Sequence, residues 1–461
     1  MISRIPFILK NVGALRDERR DFASRRARGD ETRTVRYARI WFRRPLFSSF
    51  FGLFSTTFSD SHISGNAGHV AVLPGTSPRH YAYIDALRGW AILGVIVFHV
   101  SQYFPGLEYP LRTVVGEGAR GVQLFFVISA LSLMLSWHQR VDGIAPFYVR
   151  RFFRIAPMFW LAIIFFVALD GFGPRQWAPA GISWWQVFVT AVFLHGWHPE
   201  SINSVVPGGW SIAVEMTFYA LFPLLVIACC SLARTIAVLL LSVLAAAAVN
   251  GAAAVILEPA PPYQPQYLID AFRFFWFWSQ LPVFLIGILV YFAASDKRRH
   301  LPIFWANLGV YASVLILVIL PFVEGRSPPL DHIKCALCFG LLAFCLACGA
   351  KIFVVNKLSC FIGKVSFSCY LWHFAVLFGL FDRLLAAGVN PFGLNDAALG
   401  WPYFLQFFAV VAAATIALSF VTYRLVEQPM IRIGSRTATS IKPVFSASLR
   451  FSLSGARRGI E

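Results

Sequence analysis

The chain has 461 residues, of which 58% are hydrophobic, 16% aromatic and only 13% charged, with a mean hydropathy of +0.66. Soluble domains are about one-quarter charged, so this composition excludes a soluble globular enzyme and a disordered protein and requires a polytopic membrane bundle. The formal net charge of +18 is concentrated at the ends, with 14 basic and 6 acidic side chains in residues 1–79 and 6 and 1 in residues 430–461; this distribution suits cytoplasmic, lipid-facing tails rather than nucleic-acid binding.

Residues 1–80 are Arg-rich and then Ser/Gly-rich. They read as a basic extension expected to be disordered, or as an upstream extension from a misplaced start. Phe47 to Phe54 is too short to cross a bilayer. Ten apolar stretches of spanning length follow, near 84–104, 121–137, 155–172, 210–230, 235–257, 274–294, 303–323, 335–355, 367–385 and 403–425. The fold class is therefore all-α integral membrane, a bundle of about ten transmembrane helices over residues 81–430, and residues 431–461 read as a basic cytoplasmic tail.

Loop charge decides the status of the short stretch 184–194. With that stretch non-spanning and the N-terminus inside, the clusters around Arg150, Arg234, Lys297, Lys357 and Arg432 all face the cytoplasm, as the positive-inside rule requires. Both termini are then expected in the cytoplasm, in an inner (plasma) membrane. The outer segment 171–208 carries Trp177, Trp184, Trp185 and Trp197. Interface anchoring is the favoured reading of these rings, with stacking on sugars as the alternative.

The eight cysteines all lie in or beside apolar stretches. Cys335-x-x-Cys338 and Cys345-x-x-Cys348 imitate a metal pattern, but one continuous apolar helix offers no turn to gather four thiolates. They read as small residues at a helix contact, with no metal expected.

Polar residues inside spans are costly and mark function by default. Arg88 and His99 share the first span, eleven residues apart; that is within about 20° of three full turns and about 16 Å of rise, so both lie on one helix face. Arg151 and Arg154, at i and i+3, share a face at the basic start of the third span, a two-pronged site for phosphate. Glu215 is the only carboxylate of the fourth span, at a depth comparable to His99, with Trp210 and Ser211 just before it. His373 reads as lying in the inner half of the ninth span, nearer the cytoplasm than His99. Arg424 and Glu427 close the last span as a simple surface pair.

These residues also carry a family likeness. Tyr83-Ile-Asp85-Ala-Leu-Arg88-Gly89 followed by His99, and Arg151-x-x-Arg154, resemble the two best-known motifs of the membrane acyltransferase 3 family. The blocks at Gly121–Ser129, Trp210–Glu215, Ser368–His373 and Tyr423–Pro429 are similar to four further blocks of that family. The likeness runs from about Tyr83 to Pro429. Gln123 stands where the family has Asp, Ala130 and Ala86 where it has Gly. About 32 residues follow Pro429, so the stand-alone form of the family is expected. The resemblance implies an O-acyltransferase moving an acyl group, commonly acetyl, from cytoplasmic acyl-CoA to a hydroxyl of an envelope or secreted polysaccharide or glycolipid. Acyl-CoA is then a donor substrate, and no permanently bound cofactor is expected.

On that reading Arg88, Arg151 and Arg154 bind the donor. His99 is the catalytic base or acyl carrier, and Glu215 orients and charge-stabilises that imidazole or binds acceptor hydroxyls, with Asp85, Trp210, Ser211 and His373 as acceptor or supporting residues. A transporter or flippase of a glycolipid or small metabolite is the alternative; no internal repeat and no matched pair of broken spans is visible to favour it.

Overall fold

The first span, α1 (Ala82–Ser101), is the axis around which the site is built, and glycine lets its neighbours come close. A Cβ on Gly363 would overlap the Asp85 carbonyl oxygen, and one on Gly89 would overlap that of Ser359. The short helix α12 (Lys357–Lys364) therefore lies backbone to backbone on α1. The computed structural model describes residues 81–140, 143–257, 265–295, 301–323, 328–390, 392, 394 and 400–441. The extension at 1–80, the basic cluster Lys297, Arg298 and Arg299, and the chain after residue 441 lie outside them.

Between α1 and α12 in the chain come ten further helices. They are α2 (Leu111–Gly116), α3 (Gly121–Gln139), α4 (Ile144–Asp170), α5 (Trp184–Ala191), α6 (Trp210–Ala228), α7 (Leu232–Leu257), α8 (Gln266–Phe275), α9 (Phe277–Ser295), α10 (Ile303–Ile319) and α11 (Pro328–Ala347). After α12 come α13 (Ser366–Val376), which continues through a π turn at Leu377–Phe381, then α14 (Trp401–Thr422), a second π turn at Tyr423–Glu427, and α15 (Gln428–Ser440). Every regular element among the described residues is helical, and ten segments are long and apolar enough to cross a membrane. The stretch 184–194 is not one of them: α5 has eight residues and exposes Trp184, Trp185 and Phe188, as an anchor at an interface would.

Burial sorts the spans. α3 and the α8–α9 segment are two-thirds buried, whereas α7 and α10 bury only 17%, so the first two form the centre and the last two a lipid-facing edge. A Cβ on Gly309 of α10 would press on Cys345 Sγ of α11, which gives that cysteine a packing role at a helix contact. Gln123, where the family has Asp, donates from Nε2 to Gln280 Oε1 of α9 at 3.1 Å. A neutral amide pair thus joins α3 to α9 in the core.

The residues read as a C-terminal tail begin as helix. α15 packs on α4, with Gly434 against the Phe153 ring, and its buried side is Gly434 and Ala438.

Candidate active site

Five helices converge on one cavity. α1 contributes Arg88, α3 Ser129 and Ser132, α4 Arg151 and Arg154, α6 Ser211, Glu215 and Tyr219, and α13 Ser366 and Tyr370. Its empty space, with the open mouth included, is about 650 Å³. The lining carries three guanidiniums against one carboxylate, Glu215. Such a surplus of forked donors is a site for a polyanion.

Each arginine is oriented by a different helix. Arg88 Nη1 lies 3.5 Å from Asp85 Oδ1 one turn earlier on α1. Its Nη2 donates to Ser132 Oγ of α3 at 2.9 Å, and that hydroxyl donates to the Ile128 carbonyl at 2.5 Å. Arg151 lies over the Tyr219 ring, 5.8 Å from its centroid, and its Nε is buried without a hydrogen-bond partner. Arg154 projects from the part of the bundle where α4 packs on the π turn at Tyr423–Glu427, which carries the buried Glu427.

Glu427 corrects one expectation from the sequence. It does not form a surface pair with Arg424: Glu427 is 1% exposed and accepts from Ser368 Oγ of α13 at 2.6 Å, while Arg424 sits over Phe420. The cause is the π turn at Tyr423–Glu427. On an α-helix these two residues, three apart, would share a face. The i→i+5 turn holds more residues, so the same three steps sweep less of a circle and swing Glu427 inward.

Glu215 also stands differently from its expected place beside His99. Its Oε1 accepts from Ser129 Oγ at 2.6 Å and from the hydroxyl of Tyr219, which ties the carboxylate into the wall of the arginine cavity. The ring beside His99 is instead His373, with centroids 5.3 Å apart. The sequence places His373 deeper toward the cytoplasm. Because Gly363 of α12 lies against the Asp85 backbone of α1, the ten residues from there carry His373 up to the level of His99.

His373 Nδ1 donates to the Cys369 carbonyl at 3.2 Å, and its Nε2 is buried without a partner. Phe374 packs on both imidazoles, at 4.5 Å from His99 and 4.0 Å from His373. Between this pair and the cavity stands Tyr370. Ser211 Oγ donates to Tyr370 OH at 2.8 Å, and Tyr370 OH donates to the Gly208 carbonyl at 2.9 Å. Trp210 stacks on Phe275 at 4.3 Å and lies outside the cavity lining. Outside the spans, His195 is held by Gly209, its Nε2–H donating to that carbonyl at 3.0 Å; burial pushes its pKa down to about 4.

The structure thus gathers Asp85, Arg88, Arg151, Arg154, Ser211 and Glu215 around one cavity and pairs His99 with His373 beyond Tyr370. Sequence reasoning assigned no role to Tyr219, Ser129, Ser132 or Tyr370, and gave Glu427 only a surface pair. A signal existed for two of them: Tyr219 follows Glu215 at i+4, and Ser132 follows Ser129 at i+3, the spacings of same-face partners.

Comparison with known proteins agrees with this arrangement. The family profile described as "Acyltransferase domain" matches residues 81–424, three-quarters of the chain. The chain belongs to the acyltransferase 3 family. As a family member it is similar to the O-acetyltransferase OatA of Staphylococcus aureus, with 30% identity over 168 residues, 32% of this chain and 25% of that protein. The match thus spans about a quarter of OatA's length. It is also 26% identical to the acyltransferase MdmB of Streptomyces mycarofaciens, over 78% of this chain and 94% of MdmB. It is 28% identical to the exopolysaccharide production protein ExoZ of Rhizobium meliloti, over 69% of this chain and 90% of ExoZ. No solved structure matches it. The ten apolar spans and the family together make it a multi-pass membrane protein.

Proposed function

We propose that this protein is an O-acyltransferase that moves an acetyl group from cytoplasmic acetyl-CoA to a hydroxyl of an envelope or secreted polysaccharide or glycolipid. The observation that carries the reading is the convergence of Arg88, Arg151 and Arg154, from two helices, on one cavity that ends at a tyrosine with two imidazoles beyond it. CoA is polyanionic, and guanidinium forks meet phosphates bidentately. With the start of α1 on the cytoplasmic side, as loop charge dictates, the nucleotide end of the donor lies by the arginines and its thioester arm points toward Tyr370.

His99 then removes the proton of the acceptor hydroxyl as the thioester carbonyl is attacked, or carries the acyl group itself. Glu215, tied to Tyr219 and Ser129, holds the arginine wall in register instead of serving as the partner of His99. The names of the relatives point the same way: OatA is an O-acetyltransferase, MdmB an acyltransferase and ExoZ an exopolysaccharide production protein.

The test is to incubate membranes with radiolabelled acetyl-CoA and extracted host polysaccharide. Labelled glycan that disappears with His99→Ala supports the reading. Movement of the acceptor across the membrane without labelling would replace it with a flippase.

A further inference from the structure

A transferase with a cytoplasmic donor and an outer acceptor needs two approaches to its reacting groups, and the arginine cavity supplies one. His99 does not line that cavity, yet it is only half-buried. The surface it keeps therefore lies outside the arginine cavity. With the start of α1 on the cytoplasmic side, the residues after His99 lead toward the outer face.

Tyr103 comes one helical turn after His99, about 6 Å along the axis. Its ring is buried against Phe407, at 5.8 Å between centroids, and its hydroxyl donates to Asp382 Oδ1 at 2.8 Å. Asp382 follows the π turn Leu377–Phe381 that continues α13. The first span and this segment thus meet twice, where Phe374 packs on His99 at 4.5 Å and again where Tyr103 meets Asp382.

A charged side chain within a span marks function by default, and Asp382 is exposed. Tyr103 is the one hydrogen-bond partner of its carboxylate among the described residues, so Oδ2 and the spare lone pair of Oδ1 are left to accept from a ligand. The next residue fixes the place: Arg383 Nη2 donates to the Leu169 carbonyl of α4 at 2.7 Å. Asp382 is thereby held from α1 on one side and from α4 on the other. Three residues past Leu169, Phe172 packs on Trp184 at 4.9 Å, and both rings are exposed. An oriented carboxylate that accepts, on a rim with exposed aromatic faces, suits a sugar, which combines O–H donors with apolar C–H faces.

We propose that Asp382 is an acceptor-binding residue at the outer mouth of the site, where its carboxylate, oriented by Tyr103, holds vicinal hydroxyls of a sugar and presents a further hydroxyl of the same glycan to His99. The proposal rests on the acetyl-transfer reading above. Asp382 touches the acceptor, and Tyr103 is a positioning residue that acts through it.

The experiment uses the purified full-length chain in liposomes and oligosaccharides cut from extracted host polysaccharide. Their binding is measured without acetyl-CoA, and labelled product is measured with it. Asp382→Asn keeps an oxygen for the Tyr103 hydroxyl and removes the charge. Glycan Kd and acceptor KM are expected to rise about tenfold, while kcat at saturating acceptor and the Kd for CoA stay put. Tyr103→Phe keeps the ring on Phe407 and is expected to raise both about threefold; combined with Asp382→Asn it adds nothing further. Glu108→Gln, at another exposed carboxylate beyond α1, is expected to leave binding unchanged. Wild-type protein that binds glycan but forms no labelled product overturns acetyl transfer, and the binding comparison still decides the subsite. The subsite is overturned by wild-type protein that does not bind glycan, by an unchanged Kd in Asp382→Asn, or by an equal loss in Glu108→Gln. A fall in Tm and CoA binding in both variants overturns it too, since that makes the pair a clamp between helices.

Discussion

Gly208 is the position where a single methyl group tests the geometry of the site most directly. Its φ is +75°, a conformation that costs an ordinary L-residue about 1–2 kcal/mol. A Cβ built there would lie 2.9 Å from Phe374 Cε2 and 3.2 Å from the Tyr370 hydroxyl. Carbon atoms rest about 3.5–4.0 Å apart, so the Phe374 ring must retreat by roughly 0.5–1 Å. Overpacking of this kind costs about 1–3 kcal/mol, and with the backbone penalty Gly208→Ala should destabilise by about 2–5 kcal/mol. Phe374 in turn rests on both imidazoles, and a misplacement near 1 Å at reacting groups costs about 100-fold in rate. The expected result is a lower Tm in detergent and a kcat reduced by one to two orders of magnitude, with the donor Kd nearly constant because the arginines are untouched. Gly116→Ala is the control, since a Cβ there meets nothing within 4 Å. A Gly208→Ala protein with wild-type Tm and kcat would refute the argument.

Arg151→Lys and Arg154→Lys keep the charge and lose the fork, so donor KM should rise about tenfold in each while acceptor KM stays put; wild-type donor kinetics in both would reduce these residues to topology signals. Glu427→Gln should raise donor KM several-fold and lower thermal stability, because it removes a buried negative charge from the π turn packed on the arginine helix while Ser368 keeps an acceptor; unchanged KM in steady-state assays would count against it. A reporter fused after Gly400 should read outside and one after Ser440 inside; the reverse would invert the proposed orientation. His195 has a folded pKa near 4, below the free value of about 6.5, so the unfolded chain takes up the proton first on acidification. The contribution of this loop to stability should therefore be complete above about pH 7 and fall between about pH 6.5 and 4, a slope in thermal unfolding that His195→Phe should flatten.

What the sequence disclosed and what it concealed divide along one line, the difference between position within a helix and position between helices. Spans, and the arginine pair at 151 and 154, are properties of single segments, and hydropathy and a 3.6-residue period suffice to read them. The three arginines could be placed near one end because loop charge orders the spans. Glu215 could be matched with Tyr219 at i+4 but not with Ser129, which belongs to another helix whose rotation no local pattern encodes. Depth misled for His373: counting residues from the start of an apolar run assumes that the run begins at the membrane surface, whereas α12 seats it against the flank of α1. Glu427 was hidden for a third reason. A π turn changes the angular bookkeeping of every residue after it, and Tyr423–Glu427 has no glycine or proline to announce it.

The hydrogen bonds linking Tyr370, Ser211 and Gly208 bear on the energy supply of the cell. A polar cavity sunk into a membrane protein thins the insulating layer, and most of the membrane potential then falls across whatever wall is left. Each unit charge that slips through 100 mV releases about 2.3 kcal/mol, so a standing pore at an acyl-transfer site would drain the gradient continuously. Here Tyr370, one of the residues that line the cavity, is held at its hydroxyl by hydrogen bonds of 2.8 and 2.9 Å, with Phe374 packed on the Gly208 backbone. On the proposed acetyl-transfer reading, a side chain held this firmly keeps hydrated ions out while the much smaller acetyl group is handed across.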